Sequence, residues 1–414
     1  MDVQQVMGSI RGAGRPNTSS PTPPLPRPVL LGLFLLSAMA SGVMTSVVGP
    51  TVPALAARLH MHESDMGIIF GANFLAATLT TPLAGRAIDM FGPRRLVPLG
   101  LLAEALGVLG QGTTASLPLV TVAAALAGCG MGSVTVCSTL TVGSLFPLQR
   151  EAALNAQNAF FGAGAFLGPL LVRFSLVQFS GYQAAYMAAA ALLALPVLPF
   201  LVGLPAGRLT GRGIGNNSSD RFLIGERRMW AHAALSFFYL GTEIGFGGWI
   251  VVVLQHIAHL SAIAAAPIAS VYWLFLALGG VPTAFLLHQG VLPARIIATA
   301  AAGAVAVTAA LALFGAVIPV AVITAALLGL TLSPILPLNI AAAGRLASAQ
   351  SPGTMGSSTA LVLMAGQLGG TILPSLQGVL LTVGPKAAIG ETCVCSLFML
   401  GIQHTIIQHQ RLRH

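Results

Sequence analysis

The chain alternates long apolar runs with short polar breaks, twelve times over. The runs cover approximately 29–57, 65–84, 96–113, 118–145, 152–178, 183–204, 230–257, 263–287, 294–316, 318–343, 355–382 and 386–408. Each is near or above the roughly 20 residues a helix needs to cross the hydrocarbon of a bilayer. Many close on turn-forming or helix-breaking residues, among them Gly92-Pro93, Phe146-Pro147, Ser351-Pro352-Gly353 and Gly384-Pro385. Strand-like alternation is absent, which argues against a barrel. The pattern predicts an all-α integral membrane protein with twelve transmembrane helices.

Composition leads to the same place. The chain is 55% hydrophobic and 7% charged, with a mean hydropathy of +0.87. A soluble domain carries about 25% charged residues, and here there is too little polar material to cover an exterior. The net charge of +9 does not indicate nucleic-acid binding, because the arginines sit singly or in small groups between apolar runs and form no basic stripe. Cys129 and Cys137 share one run, and Cys393 and Cys395 another. Residues two apart on a helix point to different sides, so the last two are poorly placed to share a metal and read as small packing residues. No metal or cofactor is expected. Walker, Rossmann and nucleophile motifs are absent, so the chain does not read as an enzyme.

The polar segments set the domain plan. Residues 1–28, with six prolines and several Ser and Thr, form a tail without a packed core of its own. The tail lacks the apolar region of a cleavable signal, so the first span is expected to act as the insertion signal. The longest interruption, 206–228, divides the remainder into 29–205 and 229–410, each with six runs, followed by a short tail at 411–414. With the amino terminus in the cytoplasm, sixteen of the nineteen Lys and Arg fall on the cytoplasmic side, and only Arg58, Arg173 and Lys386 fall on the other. The positive-inside rule therefore places both termini in the cytoplasm of a cell (plasma or inner) membrane protein.

One break is unlike the others. Gly85-Arg86-Ala87-Ile88-Asp89-Met90-Phe91-Gly92-Pro93-Arg94-Arg95 holds four of the chain's 29 charged residues in eleven positions. Charges this dense do not sit in hydrocarbon and mark a tight aqueous turn between the second and third runs. The spacing resembles the signature between the second and third helices of the major facilitator superfamily of secondary transporters. That resemblance implies two six-helix pseudo-repeat bundles joined by a cytoplasmic linker, with a substrate site near the midplane between them. Gly164-Ala165-Phe166-Leu167-Gly168-Pro169 in the fifth run, and Gly366-Gln367-Leu368-Gly369-Gly370 with Pro374 in the eleventh, are the weak trace of such a repeat. Within the superfamily, three further stretches resemble the sugar-transporting branch that contains fucose permease. They are LFPLQREAALNAQNAFFGAGAFLGPLL (145–171), Tyr239-Leu240-Gly241-Thr242-Glu243 with Gly247-Gly248-Trp249, and the pair GLTLSPILP (329–337) and LVLMAGQLGGTILP (361–374).

Departures from the branch bear on chemistry. Its fourth-span acid and asparagine correspond to Thr135 and Thr139, and a histidine before the paired phenylalanines corresponds to Asn158. A second copy of the loop signature has decayed to His288-Gln289-Gly290 with a lone Arg295.

Polar residues inside apolar runs are the functional candidates. Glu243 lies near the middle of the seventh run, where an ionised side chain costs several kcal/mol. It is either a ligand for substrate hydroxyls or a proton carrier, or a structural acid bonded to a neighbouring helix. Tyr239 and Thr242 share its signature. Trp249 and His256 follow Thr242 at seven-residue steps and return to nearly the same helix face, a possible cavity wall or, for His256, an interfacial position. Glu104, in the third run, has no evident cation partner and reads as a protonated buried acid or a proton site. Arg173 is placed to snorkel or to attract an anion. Asn155, Gln157, Asn158, Asn339, Gln367 and Gln377 are hydrogen-bonding candidates, each as easily helix-to-helix glue as ligand.

The resemblance implies a conformational role for the loop signature, with Asp89 and Arg94, and Gly85, Gly92 and Arg95 beside them, expected to latch the cytoplasmic side; the alternative is a topology anchor, which needs only positive charge and leaves Asp89 unexplained. The expected activity is alternating-access transport of a small polar solute, a sugar or sugar-like molecule, with a proton as coupling ion, by a monomer whose only other partner is the lipid bilayer. A proton-coupled drug or metabolite exporter and a non-transporting nutrient sensor on the same fold are the alternatives.

Overall fold

The computed structural model describes residues 25–205, 226–350 and 355–411. Most of the tail expected at 1–28, most of the linker at 206–228 and residues 412–414 lie outside the described residues. Twelve helical spans are long and apolar enough to cross a membrane. In chain order they are Arg27–Leu59, Glu63–Phe91, Pro93–Thr113, Leu117–Leu145, Ala152–Phe179, Gln183–Gly203, Arg227–Ala258, Ala262–His288, Pro293–Phe314, Ile318–Ala349, Ser358–Leu381 and Pro385–Gln408. No strand occurs among the described residues.

Three spans are broken where the sequence weakens the helix. The sixth breaks beside Pro196, between helices Gln183–Ala194 and Val197–Gly203. The eighth breaks at Gly279, and the tenth beside Pro334, after Ser333. Proline removes a backbone donor and crowds the preceding turn, and glycine lowers helix propensity.

The charged motif is more helical than an aqueous turn requires. Gly85 through Phe91 complete the second span, and Pro93 already begins the third. The reversal is confined to Gly92, whose φ of 76° lies where only glycine is unstrained. Pro93 fits because the first helical position has no hydrogen bond for its missing N–H to make.

Helix packing repeats between the halves. The first span packs along the fifth, as the seventh packs along the eleventh; the second packs on the fourth as the eighth packs on the tenth. The third on the sixth corresponds to the ninth on the twelfth. Across the halves the second span meets the eleventh and the fifth meets the eighth, which is the same contact with the halves exchanged. A Cβ on Gly164 would strike the Met39 carbonyl of the first span, and one on Gly369 would strike the Phe237 carbonyl of the seventh. Gly164 and Gly369 are thus the corresponding residues of the repeat, each five positions before a proline, Pro169 or Pro374. Apolar tails supply no hydrophobic drive between helices, so close backbone approach of this kind holds the bundle together.

The seventh span is the axis. Of its central stretch 83% is buried, against 33–56% in the other spans. Leucines such as Leu79, Leu83, Leu99, Leu198 and Leu313 are exposed instead, as lipid-facing positions on the outer spans.

Candidate functional site

Glu243 stands halfway along the seventh span and is 8% exposed. Tyr239 precedes it by one turn, on the same face, near enough to interact with its carboxyl. From the eighth span the Tyr272 hydroxyl donates to the Glu243 carbonyl oxygen at 3.1 Å. Tyr272 also packs on Phe246 and Trp273, with ring centroids 4.8 and 5.2 Å apart. The result is an aromatic wall of Tyr239, Phe246, Tyr272 and Trp273 around one acid. Trp273 Nε1 and Ser270 Oγ, both buried on the eighth span, have no hydrogen-bond partner. Unpaired buried donors cost stability and are groups that a ligand could satisfy. Trp273 and Tyr272 were not among the sequence candidates, since aromatics in an apolar run read as packing.

The halves meet from the midplane toward the end that carries the His60 and His259 turns. Gly49 of the first span lies against Gly247 and Gly248. Ser375 Oγ donates to the Gly67 carbonyl at 3.2 Å, and Gly378 lies against the Ser64 carbonyl. Trp249 belongs to this seal. It is fully buried, donates from Nε1 to the Pro374 carbonyl at 2.8 Å, and rests on Phe70 of the second span at 5.7 Å. His256 is paired with Glu63 at 2.8 Å on the same side. The seven-residue step therefore brings Trp249 and His256 together against the second span. Thr242, the third member expected on that face, is buried and turns to Cys395 of the twelfth span.

The remaining candidates divide by depth. Thr135, Asn155 and Asn158 are exposed, and Thr139 half-buried, on fourth- and fifth-span faces nearer the Asp89 end. Gln367 is half-buried and lies 3.5 Å from Thr81 of the second span. Asn339 is glue: it meets His232 Nδ1 at 2.6 Å and donates to Ser236 Oγ at 3.0 Å, joining the tenth span to the seventh. Gln377 likewise joins the eleventh to the twelfth. Arg173 is exposed at its helix end.

Glu104 is fully buried on the third span, its backbone against Gly130 of the fourth. Ser41 of the first span faces it, and the two complete no hydrogen bond. Gln111, one heptad on, also has both side-chain polar atoms unpaired. At the Asp89 end, Arg94 donates to the Leu201 carbonyl of the sixth span at 2.5 Å. Asp89 makes no ion pair among the described residues. No group of three potential metal ligands occurs among the described residues.

The profile of the Major Facilitator Superfamily matches residues 34–374. The chain belongs to that superfamily. This superfamily member is 24% identical to sodium-dependent glucose transporter 1 of Danio rerio, over 83% of this chain and 63% of that protein. It is 27% identical to multidrug resistance protein 2 of Bacillus subtilis, over 29% of this chain and 30% of that one. The chain thus spans less than two thirds of the length of the curated relatives it matches. The solved nucleoside transporter NupG shares the fold, with a TM-score of 0.74 and 14% identity over 91% of this chain and 98% of that one. The relatives' names span several substrate classes, so the superfamily follows from them and the fucose permease-like branch does not.

Proposed function

We propose that the chain is a secondary transporter working by alternating access, and that it carries a small polar solute, a sugar or sugar-like molecule, coupled to proton movement. The observation that carries this reading is Glu243, a lone acid at the midpoint of the most buried span, set against Tyr239 and Tyr272, with the unpaired Trp273 Nε1 and Ser270 Oγ on the adjoining eighth span. Aromatic faces suit the apolar faces of sugar rings, and the carboxyl suits their hydroxyls. An acid at that depth is functional by default. The resemblance of 239–249 to the fucose permease-like branch, and the name of the Danio rerio relative, support the sugar class.

Tyr239, Thr242, Glu243 and Trp249 of the seventh span, with Thr135, Thr139, Asn158 and Gln367 of the fourth, fifth and eleventh spans, make up the proposed substrate and proton pathway. Among the contacts between halves, Ser375 with Gly67 and His256 with Glu63 lie at the Trp249 end, which supports a pathway that faces the Asp89 end in this conformation. The arginine distribution makes that end cytoplasmic, with both termini there, and the conformation inward-facing. Residues 29–205 and 229–410 are the two moving halves, and the protein acts as a monomer in the cell membrane.

The test is uptake of a panel of labelled sugars into proteoliposomes under an imposed pH gradient. Glu243→Gln is expected to abolish gradient-driven uptake. Unchanged uptake and pH dependence would end this assignment. The drug-exporter alternative, favoured by the name of the Bacillus subtilis relative, predicts resistance to toxic compounds in cells instead.

A further inference from the structure

A second acid lies behind the seventh span, and the reading of the chain as a secondary transporter leaves it unused. Glu391, on the twelfth span, is 9% exposed. The Cys395 thiol, one turn on, donates to its Oε1 at 3.0 Å. No Lys, Arg or His pairs with it among the described residues. The ninth span places its Val305 carbonyl against Cys393, which points to another side of the twelfth span than Glu391. The eleventh contributes Gln377, and the seventh contributes Thr242, beside Cys395. Lys386, the nearest cation in sequence, lines a separate cavity of about 690 Å³ with His256. The titratable groups facing Glu391 therefore reduce to Cys395, with Glu243 the next residue to Thr242.

Two oxygen atoms in this junction lack partners. Thr242 is 1% exposed, and its Oγ1 faces the thiol without completing a hydrogen bond. Gln377 is 2% exposed. Its Nε2 donates to the Ala388 carbonyl and to Thr392 Oγ1, at 3.0 and 2.9 Å, and its Oε1 is left unpaired. That Oε1 lies against Gly245, one turn of the seventh span beyond Thr242. Buried polar atoms are nearly always satisfied, so two orphans in the junction that holds a carboxyl without a cation partner among the described residues call for a ligand. A carboxylate, a hydroxyl and an amide oxygen form an oxygen-only set, which suits a small hard cation.

We propose that Glu391 is a cation-holding carboxyl of the transport cycle, taking a proton or a sodium ion together with the free oxygens of Thr242 and Gln377. Filling the site acts on the turn of the seventh span that also holds Glu243. The ion thereby biases the helix against which both halves close, which is what coupling between two ligands requires.

The test uses the purified full-length protein in lipid nanodiscs and needs no transported substrate. Tryptophan fluorescence and the thermal unfolding midpoint are followed while NaCl replaces choline chloride, and separately while pH is lowered at fixed ionic strength. Wild type is expected to respond saturably to one of these, and the responding arm identifies the ion. Glu391→Gln is expected to remove that response, while Glu243→Gln keeps it and loses sugar uptake. Thr242→Val deletes an oxygen that makes no hydrogen bond, so it should fold, and it is expected to weaken the response about tenfold. A wild-type response in Glu391→Gln, an unchanged one in Thr242→Val, or no response to either ion in wild type overturns the site. Loss in Glu243→Gln alone would move the cation to Glu243, overturning this site while leaving the transporter reading intact. Failure of every solute in the uptake panel would strike the transporter reading and leave the ion titration to be judged by itself.

Discussion

The indole Nε1 of Trp249 donates to the carbonyl oxygen of Pro374, 2.8 Å away. This bond ties the seventh span to the eleventh at the level where Phe70 of the second span packs on the same indole. One residue thus joins a contact within its own half to a contact across the halves. Trp249→Phe keeps most of the packing and removes the donor, losing one buried hydrogen bond at a cost of about 0.5–1.5 kcal/mol. A lower unfolding midpoint is expected, with more labelling of a reporter cysteine placed at Ser375. An unaltered midpoint and unaltered labelling would remove Trp249 from the seal.

The Glu63–His256 pair bridges the halves farther out. Its side chains are 27% and 54% exposed, so its net worth is that of a surface pair, about 0–1 kcal/mol. Glu63→Gln should therefore barely change the unfolding midpoint. It should move the conformational balance toward the opposite state by up to about fivefold, since 1 kcal/mol is a factor of that order. Cysteine accessibility at Ser64 measures this, and a large loss of stability would contradict it.

Gly164 and Gly369 carry the same contact in the two halves. Gly164→Ala or Gly369→Ala drives a methyl group into a backbone carbonyl, which cannot rotate away. Each is expected to cost about 1–3 kcal/mol. Gly390→Ala and Gly401→Ala meet nothing within 4 Å and serve as controls, neutral or slightly stabilising. Equal effects at all four positions would sink the packing argument.

Asp89 makes no ion pair among the described residues, while Arg94 holds the Leu201 carbonyl. If Asp89 makes its contact in the opposite state, Asp89→Asn lowers turnover by about tenfold, the loss of one charge-assisted contact, and leaves folding intact. The measurement is counterflow in proteoliposomes beside a thermal unfolding curve. Unchanged turnover reduces the motif to a topology anchor.

Much of the fold could be read directly because a bilayer imposes one requirement, about 20 apolar residues per helix, and each run meets it. Gly92-Pro93 gave the sharpest boundary, since each residue has its own backbone reason to be there. The site was read less well. Glu243 was visible because acids are rare in apolar runs. Glu391 had the same signal and was missed, because it resembles no motif and sits near a span's end. Trp249 had the right face by its spacing with His256, and its role in sealing depended on Phe70 and Pro374, which are far away in the chain.

Hydropathy, glycine and proline positions, and the arginine distribution by themselves determined the number of spans and the expected sidedness, because these depend on local composition and lipid solvation alone. Tertiary structure alone decided that Gly164 and Gly369 make the same contact, that Thr242 turns to Cys395 rather than toward Trp249, and that Asp89 has no ion-pair partner among the described residues. Those facts depend on which helices lie side by side. Helix neighbours in lipid are chosen by shape and a few polar contacts rather than by hydrophobicity, which is nearly the same on every face.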